Sequence, residues 1–380
     1  MLFTVKDISE KEKEVIRLID DVRKTLNYAL GVPQRWFGLL RRSTLAKAIR
    51  GSNSIEGYNV SVEAAMAIVD GVEPIDDATD EAVRANVGYS RAMTYVLQLA
   101  NDPHFSFGPG FIRSMHYMMI EYDLAKNPGK WRPGPIYVRD EQKNAIVYEG
   151  PNAVHIPVLI EELIKSLNET DELPAMVRAA LGHLTLVMIH PFSDGNGRMA
   201  RCLQTLILAR EGILSPQFCS IEEYLGHNTQ EYYAVLSEVG QGAWHPENDT
   251  RPWIKFCLTA HYRQAMTLLR RTREMQRIWD QLEAEIKNHV LPERAIPGLA
   301  DAALGYRVRN STYRVNAGVS ELSASRDLKV LVDAGLLEAR GDKRGRTYGA
   351  SPYLRAIRDK AREPKRLEDP FAGEALLLPF

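Results

Sequence analysis

Apolar residues recur every three or four positions along most of the chain. Near the N-terminus, for example, Val15, Ile16, Ile19 and Val22 fall on one face of a helix. The same periodicity, interrupted by glycine, proline and acidic loops, predicts a succession of helices. Their predicted extents are 7–30, 33–51, 61–70, 79–100, 111–121, 156–167, 174–189, 197–210, 230–239 and 253–288. The predicted fold class is therefore mainly α.

The pattern changes between Pro128 and Pro151, where glycine, proline and asparagine become frequent. Two short apolar runs, 136–138 and 145–148, flank the polar sequence Asp-Glu-Gln-Lys-Asn. Apolar runs on either side of turn-forming residues indicate a β-hairpin.

A second change follows the long helix. Residues 290–298 contain two prolines and a glycine, which is typical of a linker. Two helices, a third helical segment near 323–334 and two short strands around a basic tip are then predicted. This order indicates a small winged helix-turn-helix domain. From about residue 355 the chain is polar, and we expect the tail to be partly disordered.

Composition narrows the class of protein. The 380 residues allow two or three domains, and the net charge of −1 gives no overall field that would attract nucleic acid or acidic membranes. Three cysteines in no metal or redox spacing suggest a reducing compartment. The charged first thirty residues resemble no signal peptide, and no apolar run approaches the roughly 20 residues of a membrane span. We therefore expect a cytoplasmic protein without membrane contact.

Residues 189–201 read Ile-His-Pro-Phe-Ser-Asp-Gly-Asn-Gly-Arg-Met-Ala-Arg and contain an unusual density of chemical groups. Gly195, Asn196 and Gly197 lie where a helix starts, and its unpaired amides and dipole favour an anion there. Arg198 and Arg201 are three residues apart, so both project from one side of that helix. Their planar donor groups suit phosphate oxygens. This part of the stretch predicts a polyphosphate site.

Two further residues add reactivity. His190 titrates near neutrality and can accept a proton from an attacking hydroxyl. Asp194, as a lone carboxylate beside a polyphosphate, can hold Mg²⁺. Phe192 is interpreted as an apolar anchor and His183 as a structural residue. A base, a metal ligand and a phosphate cradle together indicate transfer of a phosphorus-containing group.

Other chemistry fits less well. A zinc site formed by His183, His190 and Asp194 has poor spacing. The patterns GxxxxGK[ST] and GxGxxG are absent from the sequence, which disfavours the usual nucleotide-binding folds.

The sequence His-Pro-Phe-Ser-Asp-Gly-Asn-Gly-Arg-Met-Ala-Arg at 190–201 resembles the Fic family signature HxFx(D/E)GNGRxxR at every specified position. The resemblance extends over roughly residues 35–265. It implies a Fic-type helical bundle with a short β-hairpin flap. Most characterised Fic proteins transfer AMP from ATP to a Ser, Thr or Tyr hydroxyl of a target protein and release pyrophosphate.

The resemblance also implies residue roles. His190 is expected to be the general base, Asp194 to bind Mg²⁺, and the hairpin at about 136–148 to align a target segment by strand addition. The nucleotide-binding residues that it implies are Gly195, Asn196, Gly197, Arg198, Arg201, Tyr232 and Tyr233. The two tyrosines are equally well explained as core residues. A kinase subgroup has lysine in place of the second glycine of the motif, so Gly197 argues against that activity; other nucleotide-linked donors stay open.

An upstream stretch resembles the inhibitory pattern (S/T)xxxE(G/N) of the same family. It comprises Ser52, Glu56 and Gly57 within the sequence Ser-Asn-Ser-Ile-Glu-Gly, which the helix prediction leaves as a polar turn. The resemblance implies that Glu56 pairs with Arg201 and denies it to the γ-phosphate of ATP. The alternative is that Ser52 and Glu56 only cap a helix. In some relatives the same glutamate supports removal of AMP from the target, so the reverse reaction stays open.

The expected organisation has five parts, which are an N-terminal helical region carrying the inhibitory motif (1–100), a Fic catalytic core (101–265), a linker helix (266–298), the winged helix-turn-helix domain (299–355) and a polar tail (356–380).

The competing hypothesis is a DNA-binding regulator whose Fic domain senses nucleotide. It draws on the excess of basic residues over 340–366, whereas Asp327 and Asp333 on the predicted recognition helix weaken it. Related proteins often dimerise, so a homodimer with self-AMPylation is a further expectation.

Overall fold

The structure is a computed structural model that describes residues 1–31, 35–74, 77–140, 144–169, 172–212, 218–342, 345–365 and 368–372. Its helices are α1 (Glu10–Gly31), α2 (Phe37–Ile55), α3 (Val62–Val69), α4 (Asp80–Leu99), α5 (Pro109–Ile120), α6 (Ile156–Asn168), α7 (Ala175–Ile189), α8 (Asn196–Arg210), α9 (Glu222–His227), α10 (Thr229–Gly240), α11 (Arg251–Asn288), α12 (Ile296–Ala303), α13 (Asn310–Ala317), α14 (Glu321–Asp333) and α15 (Pro352–Ala361). Its strands are β1 (Tyr137–Asp140), β2 (Ala145–Glu149), β3 (Leu337–Arg340) and β4 (Thr347–Ala350). The prediction of a mainly α fold is confirmed.

Helices α7 and α8 pack against each other and flank the loop 190–195. Both are buried on nearly all sides, since neighbouring helices surround them. The apolar pattern of α7 predicted such a helix, and the structure confirms it. The loop between these helices is therefore held at both ends by rigid elements.

Helix α2 is longer than the sequence predicted. It continues to Ile55, so Ser52 lies in its last full turn and the predicted polar turn is wrong for residues 52–55. The helix packs closely on α9, because a Cβ at Gly51 would lie 2.5 Å from the carbonyl oxygen of Glu222. Gly226 is equally close to α2, with 2.7 Å from its virtual Cβ to the Cα of Gly51. The two glycines let the backbones of α2 and α9 come into contact. This contact positions the last turn of α2 near the loop 190–195.

The predicted hairpin is confirmed. Strands β1 and β2 pair antiparallel with a register shift between Val138 and Arg139, and residues 141–143 at its tip lie outside the described residues. The hydroxyl of Tyr148 donates to the carbonyl oxygen of Met188 at 2.6 Å, which ties β2 to the last turn of α7. The hairpin is thus anchored beside the loop 190–195.

The segment 290–298, predicted to be a linker, contains regular secondary structure in part. A 3-10 turn spans Glu293–Ala295, and α12 starts at Ile296 with Ala295 and Ile296 buried. Pro297 falls in the first turn of α12, where a helix tolerates the missing amide. Residues 266–288 are the second half of the single long helix α11, and their apolar face joins the main core.

The C-terminal region contains the predicted helices and strands in the predicted order, with β3 and β4 antiparallel. The expectation of disorder is wrong for α15, which buries Leu354 and Ile357. These side chains belong to the same apolar cluster as Leu282 of α11 and Leu299 of α12. The amphipathic pattern of α15 is short; contacts with α11 and α12 and a cap in which Ser351 accepts from the amide of Leu354 stabilise the helix. Residues 343, 344, 366, 367 and 373–380 of the predicted basic tip and tail lie outside the described residues.

An ion-pair network joins α2 to this region. The Nη2 atom of Arg42 lies 2.6 Å from both carboxylate oxygens of Asp301 on α12, and its Nη1 lies 3.0 Å from Asp70 after α3. Burial raises the pKa of Asp70 to about 6, although Arg42 opposes the shift. Helix α2 is therefore fixed to the C-terminal region through its N-terminal half.

None of the helices in the described ranges combines the length and the apolar character that crossing a membrane requires.

Candidate active site

The loop 190–195 starts and ends in left-handed backbone. His190 follows α7 with φ of 50°, and Gly195 precedes α8 with φ of 79°. A left-handed conformation is natural for glycine and unfavourable for histidine. Gly195 therefore satisfies the turn without strain, whereas His190 depends on its surroundings to hold this geometry.

The imidazole of His190 has a defined orientation. Its Nδ1 lies 2.9 Å from the carbonyl oxygen of Val187, and because a carbonyl can only accept, Nδ1 donates. In the neutral ring the lone pair is then on Nε2. Burial lowers the pKa of His190, so this form prevails at neutral pH. The group meets the requirements of a proton acceptor.

Asn196 braces the loop from within. Its Oδ1 accepts from the amide of Phe192 and its Nδ2 donates to the carbonyl oxygen of Phe192, both at 2.9 Å. The side chain is therefore occupied by the loop. What Asn196 can present to an anion is its backbone amide at the start of α8.

Phe192 is fully buried, as predicted for an anchor. Its ring stacks on His116 of α5 at 3.7 Å between ring centroids. The Nε2 atom of His116 donates to the carbonyl oxygen of Asp194 at 2.9 Å, while its Nδ1 accepts from the amide of Gly129 at 2.8 Å. Burial lowers the pKa of His116 to about 4, which keeps the ring neutral in this role. Sequence reasoning missed His116, because a lone histidine in an amphipathic helix carries no signal.

Asp194 lies at the entrance to α8. Its Oδ2 is 3.1 Å from Nζ of Lys126 and 3.5 Å from Nη2 of Arg198, and its Oδ1 accepts from the amide of Gly195. Burial alone would raise the pKa of Asp194, but Arg198 and Lys126 outweigh it and lower the pKa. The carboxylate is thus ionised.

Within the described ranges no group of three or more His, Cys, Asp and Glu residues could hold a metal ion. The ionised carboxylate of Asp194 is an oxygen ligand of the kind that suits Mg²⁺, and as a single ligand it would need oxygen atoms of a bound phosphate and water to complete the coordination.

Lys126 is a second residue that sequence reasoning missed. Besides Asp194, its ammonium group contacts the hydroxyl of Tyr58 at 2.9 Å and Glu81 at 3.0 Å. Burial alone would lower the pKa of Lys126, but these three contacts raise it. Tyr58 directly follows the predicted inhibitory motif, so Lys126 links that segment to the acidic residue of the loop.

Arg201 is fully buried and points at the end of α2. Its Nε donates to Oγ of Ser52 at 2.8 Å, and its Nη2 donates to the carbonyl oxygen of Ser52 at 3.0 Å and to Oε1 of Glu56 at 2.7 Å. Burial opposes the charge of Arg201, yet Glu56 raises its pKa. The predicted partners of the inhibitory motif are therefore in contact, across 145 positions of sequence.

The carboxylate of Glu56 also covers the first turn of α8. A Cβ at Gly197 would lie 2.5 Å from Oε1 of Glu56 and 3.0 Å from Nη1 of Arg201. Only glycine leaves room for this arrangement. Gly57, with φ of 84°, ends α2 and lets the chain turn away after Glu56.

Arg198 is fully buried beside the same turn, with its guanidinium 5.0 Å from the ring centroid of Tyr58. Three guanidinium nitrogens at this turn are buried and form no hydrogen bond within the described residues: Nε and Nη1 of Arg198 and Nη1 of Arg201. Buried donors without partners carry a free-energy cost. An anionic ligand at the start of α8 would satisfy donors of this kind.

The two tyrosines differ. Tyr232 is buried, and its hydroxyl lies 3.0 Å from Nε2 of His183, whose structural interpretation agrees with this contact. Burial lowers the pKa of His183 to about 3. The ring of Tyr232 lies 5.9 Å below the guanidinium of Arg201. Tyr233 is 46% exposed and donates to the carbonyl oxygen of Ile55 at 3.3 Å, so it borders the site from the solvent side.

The structure thus brings the predicted residues together around the start of α8. From the loop and the helix these are His190, Asp194, Gly195, Asn196, Gly197, Arg198 and Arg201; from the end of α2 they are Ser52, Glu56 and Gly57. A base with a lone pair on Nε2, an ionised carboxylate and two arginines at the start of a helix are groups that suit a phosphorylated ligand.

Known proteins are similar to this chain in sequence and in fold. The chain is 25% identical over 260 residues to the protein adenylyltransferase Fic of Nematostella vectensis, covering 66% of this chain and 54% of that protein. It is also 25% identical over 254 residues to the protein adenylyltransferase fic-1 of Caenorhabditis elegans, covering 66% of this chain and 46% of that protein. The matched regions are thus about half the length of these curated relatives.

Solved structures agree on the fold. A Fic family protein from Desulfovibrio desulfuricans G20 superposes with a TM-score of 0.57 at 21% identity, covering 91% of this chain and 97% of that chain. Residues 134–508 of Fic-1 from C. elegans superpose with a TM-score of 0.53 at 22% identity, covering 68% of this chain and 72% of that chain. Residues 107–208, which contain α5, the hairpin, the loop 190–195 and most of α8, match the Fic/DOC family. The chain therefore contains a domain of the Fic/DOC family.

Proposed function

We propose that the protein is a protein adenylyltransferase that transfers AMP from ATP to a Ser, Thr or Tyr hydroxyl of a target protein and releases pyrophosphate. The observation that carries the proposal is the geometry of His190. Its Nδ1 is committed to Val187, which leaves Nε2 to accept a proton beside the start of α8. The relatives in Nematostella vectensis and C. elegans, which carry the name protein adenylyltransferase, support the same activity.

In the proposed reaction the target hydroxyl oxygen forms a bond to the α-phosphorus while the bond from that phosphorus to the pyrophosphate oxygen breaks. The hydroxyl proton passes to Nε2 of His190. Arg198, Arg201 and the amides of Asn196 and Gly197 bind the phosphates and stabilise the charge that develops on them. Asp194 would hold Mg²⁺, which when bound neutralises phosphate charge.

We propose that the hairpin places the target. Strand β1 pairs on one side with β2, and Tyr137 and Ile146 are about half exposed on it. An extended target segment can add to a strand edge through main-chain hydrogen bonds, which select for shape more than for sequence. The modified hydroxyl would then lie next to His190, since β2 is tied to α7 by Tyr148.

The described conformation is proposed to be the inhibited one. Glu56 occupies the guanidinium of Arg201 and covers the first turn of α8 at Gly197. A γ-phosphate would have to displace a carboxylate from a buried arginine, where a charge-assisted bond is strong. ATP bound without that contact has its α-phosphorus out of line for attack.

Labelling with ATP that is radioactive at the α-phosphate tests the activity. We expect cell extract proteins or the chain itself to be labelled by the Glu56→Gly variant, and the label to disappear when His190→Ala is added. His155→Ala, which removes an exposed histidine near the hairpin, is the control and should leave labelling intact. An absence of label with Glu56→Gly and extracts of several cell types would contradict the proposal. Incubation of labelled protein without ATP shows whether the enzyme also removes AMP.

A second role, DNA binding by the C-terminal region, is favoured by one observation. Asp327 of α14 is buried and accepts from Arg294 and Tyr313, so it does not face solvent as the sequence suggested. Arg326 and Lys329 remain on the exposed face of α14. We propose a salt-dependent contact of these two residues with phosphate groups of duplex DNA. Gel retardation with labelled duplex tests it: the double variant Arg326→Ala, Lys329→Ala should lose retardation, and equal retardation would rule the contact out.

A further inference from the structure

Arg132 precedes the hairpin and is buried, with 4% of its surface exposed. Its Nε donates to the carbonyl oxygen of His190 at 2.8 Å, and its backbone amide donates to the carbonyl oxygen of Pro191 at 2.9 Å. One residue therefore fixes two consecutive peptide groups at the start of the loop 190–195. These are the groups that set the direction of the His190 side chain.

The hydrogen bonds from Arg132 support a residue, His190, whose backbone conformation is unfavourable. His190 adopts φ of 50° and ψ of 57°, a left-handed conformation that a residue with a Cβ keeps only when its surroundings enforce it. The amide of His190 is bonded to Leu186 and its Nδ1 to Val187, so both of these contacts point back into α7. Arg132 supplies the contact on the other side, at the carbonyl oxygen.

The remaining nitrogens of the guanidinium reach the base of the hairpin. Nη1 donates to the carbonyl oxygen of Gly134 before β1, and Nη2 donates to the carbonyl oxygen of Pro151 after β2, both at 2.5 Å. The base is closely packed, because a Cβ at Gly150 would lie 2.6 Å from Cγ2 of Ile136 and 3.1 Å from Nη2 of Arg132. A shift of the hairpin base therefore moves the guanidinium that holds His190.

The hydrogen-bond partners of Arg132 among the described residues carry no charge. Arg42, Arg201 and Arg271 each bind a carboxylate, whereas Arg132 forms no ion pair within the described ranges and has only carbonyl acceptors. Burial lowers the pKa of Arg132 accordingly. Burying a guanidinium without a countercharge is costly. The fork of five donors joins three separate backbone segments at once, which a lysine with its single nitrogen does not do.

We propose that Arg132 is a positioning residue that holds His190 in its reactive orientation and couples that orientation to the hairpin on which the target docks. The expected effect on kcat rests on the proposed function, whereas the effect on the orientation of His190 does not depend on it. A target segment that pairs with the hairpin fixes the hairpin base, and through Arg132 it fixes the imidazole. Docking and proton transfer are thereby linked by one side chain.

The test compares Arg132→Lys with Arg210→Lys, both in the Glu56→Gly background. Arg210 is a matched control, because it also donates to three carbonyl oxygens, those of Leu99, Asp102 and Phe105, at a place remote from the loop. We expect Arg132→Lys to lower kcat for target labelling by roughly 10- to 100-fold, as for a misplaced reacting group, with KM for ATP unchanged. Arg210→Lys should change neither constant.

A second readout needs no activity. Imidazole nitrogen NMR of His190 should show a single tautomer protonated on Nδ1 in the parent chain and in Arg210→Lys, and a mixture of tautomers in Arg132→Lys. If Arg132→Lys does not fold, Arg132→Gln, which keeps a donor toward His190, replaces it and should give an intermediate mixture. An unchanged His190 spectrum together with an unchanged kcat would overturn the proposal. If no variant labels any target, the proposed function fails, and the NMR comparison still decides the role of Arg132.

Discussion

The carboxylate of Glu56 lies 2.7 Å from Nη2 of Arg201, above the one residue of α8, Gly197, that leaves space for it. The arginine is fully buried, whereas the side chain of Glu56 keeps 24% of its surface exposed. Arg201 is therefore held in place by its surroundings, whereas the partly exposed side chain of Glu56 has room to move away from it. If the pair is inhibitory as we propose, movement of the Glu56 side chain alone would free Arg201.

Replacing Glu56 with glycine should release Arg201. We expect labelling to rise by at least about tenfold, because ATP then binds with its γ-phosphate on Arg201 and its α-phosphorus in line. Initial rates of label incorporation measure the effect. Glu73→Gly, which removes an exposed loop carboxylate, is the control and should not change the rate. Equal rates for the parent chain and Glu56→Gly would show that the pair is not inhibitory.

Replacing Ser52 with alanine should weaken the same contact from the other side. The Nε atom of Arg201 loses its partner at 2.8 Å, and a buried donor left unpaired costs about 1–3 kcal/mol. We expect a stability loss of that order in urea unfolding and a rise in labelling smaller than that of Glu56→Gly. Ser54→Ala is matched, since Ser54 bonds only to the carbonyl oxygen of Gly51 in the same helix. A larger effect of Ser54→Ala than of Ser52→Ala would contradict this account of the turn.

The rate should depend on pH through His190. Burial lowers its pKa below the ordinary value of about 6.5, and in the proposed reaction the neutral ring accepts the proton. The rate of the Glu56→Gly variant should therefore be constant above about pH 7 and fall only at more acidic pH, with one proton involved. Measurements of kcat between mildly acidic and mildly alkaline pH check this. An inflection above neutrality would mean that another group limits the reaction.

Stability should depend on pH through Glu223 of α9, the helix that packs on α2. Burial alone would raise the pKa of Glu223, but its hydrogen bonds from Arg271 outweigh this and lower the pKa to about 2. Because the pKa of Glu223 is lower in the folded than in the unfolded chain, its ionised form stabilises the fold fully at pH values above the unfolded pKa. This stabilisation is lost as the pH falls from about 4.5 toward 2.

Glu223→Gln should therefore reduce the free energy of unfolding at pH 7 by about 2–3 kcal/mol, and the difference from the parent chain should narrow across that acidic range. Glu14→Gln, at an exposed pair with Lys11, is the control and should have little effect. Denaturant unfolding at several pH values measures both. A difference that does not vary with pH would show that the pair with Arg271 is not its source.

The helices and the hairpin follow from local pattern, because periodicity of 3.6 residues and turn chemistry act between near neighbours. The same locality explains the errors. Ser52 to Ile55 read as a polar turn, yet they continue α2 because Gly51 lets α9 pack against it. Proline and glycine at 290–298 read as a linker, yet Pro297 lies in the first turn of α12, and contact with the core favours the helix there.

The sequence by itself determined the chemical groups of the site and their order, since His190, Asp194, the glycines and the two arginines lie within a dozen residues around one helix start. Only the tertiary structure decided what surrounds them. Lys126 reaches Asp194, His116 supports the loop, and Arg132 holds His190 from separate segments. Such contacts join residues some 60 to 80 positions apart, and no spacing in the sequence encodes them. Packing of the helices brings them together. Burying a donor costs free energy unless it forms a hydrogen bond, and these donors meet their acceptors only in the folded chain.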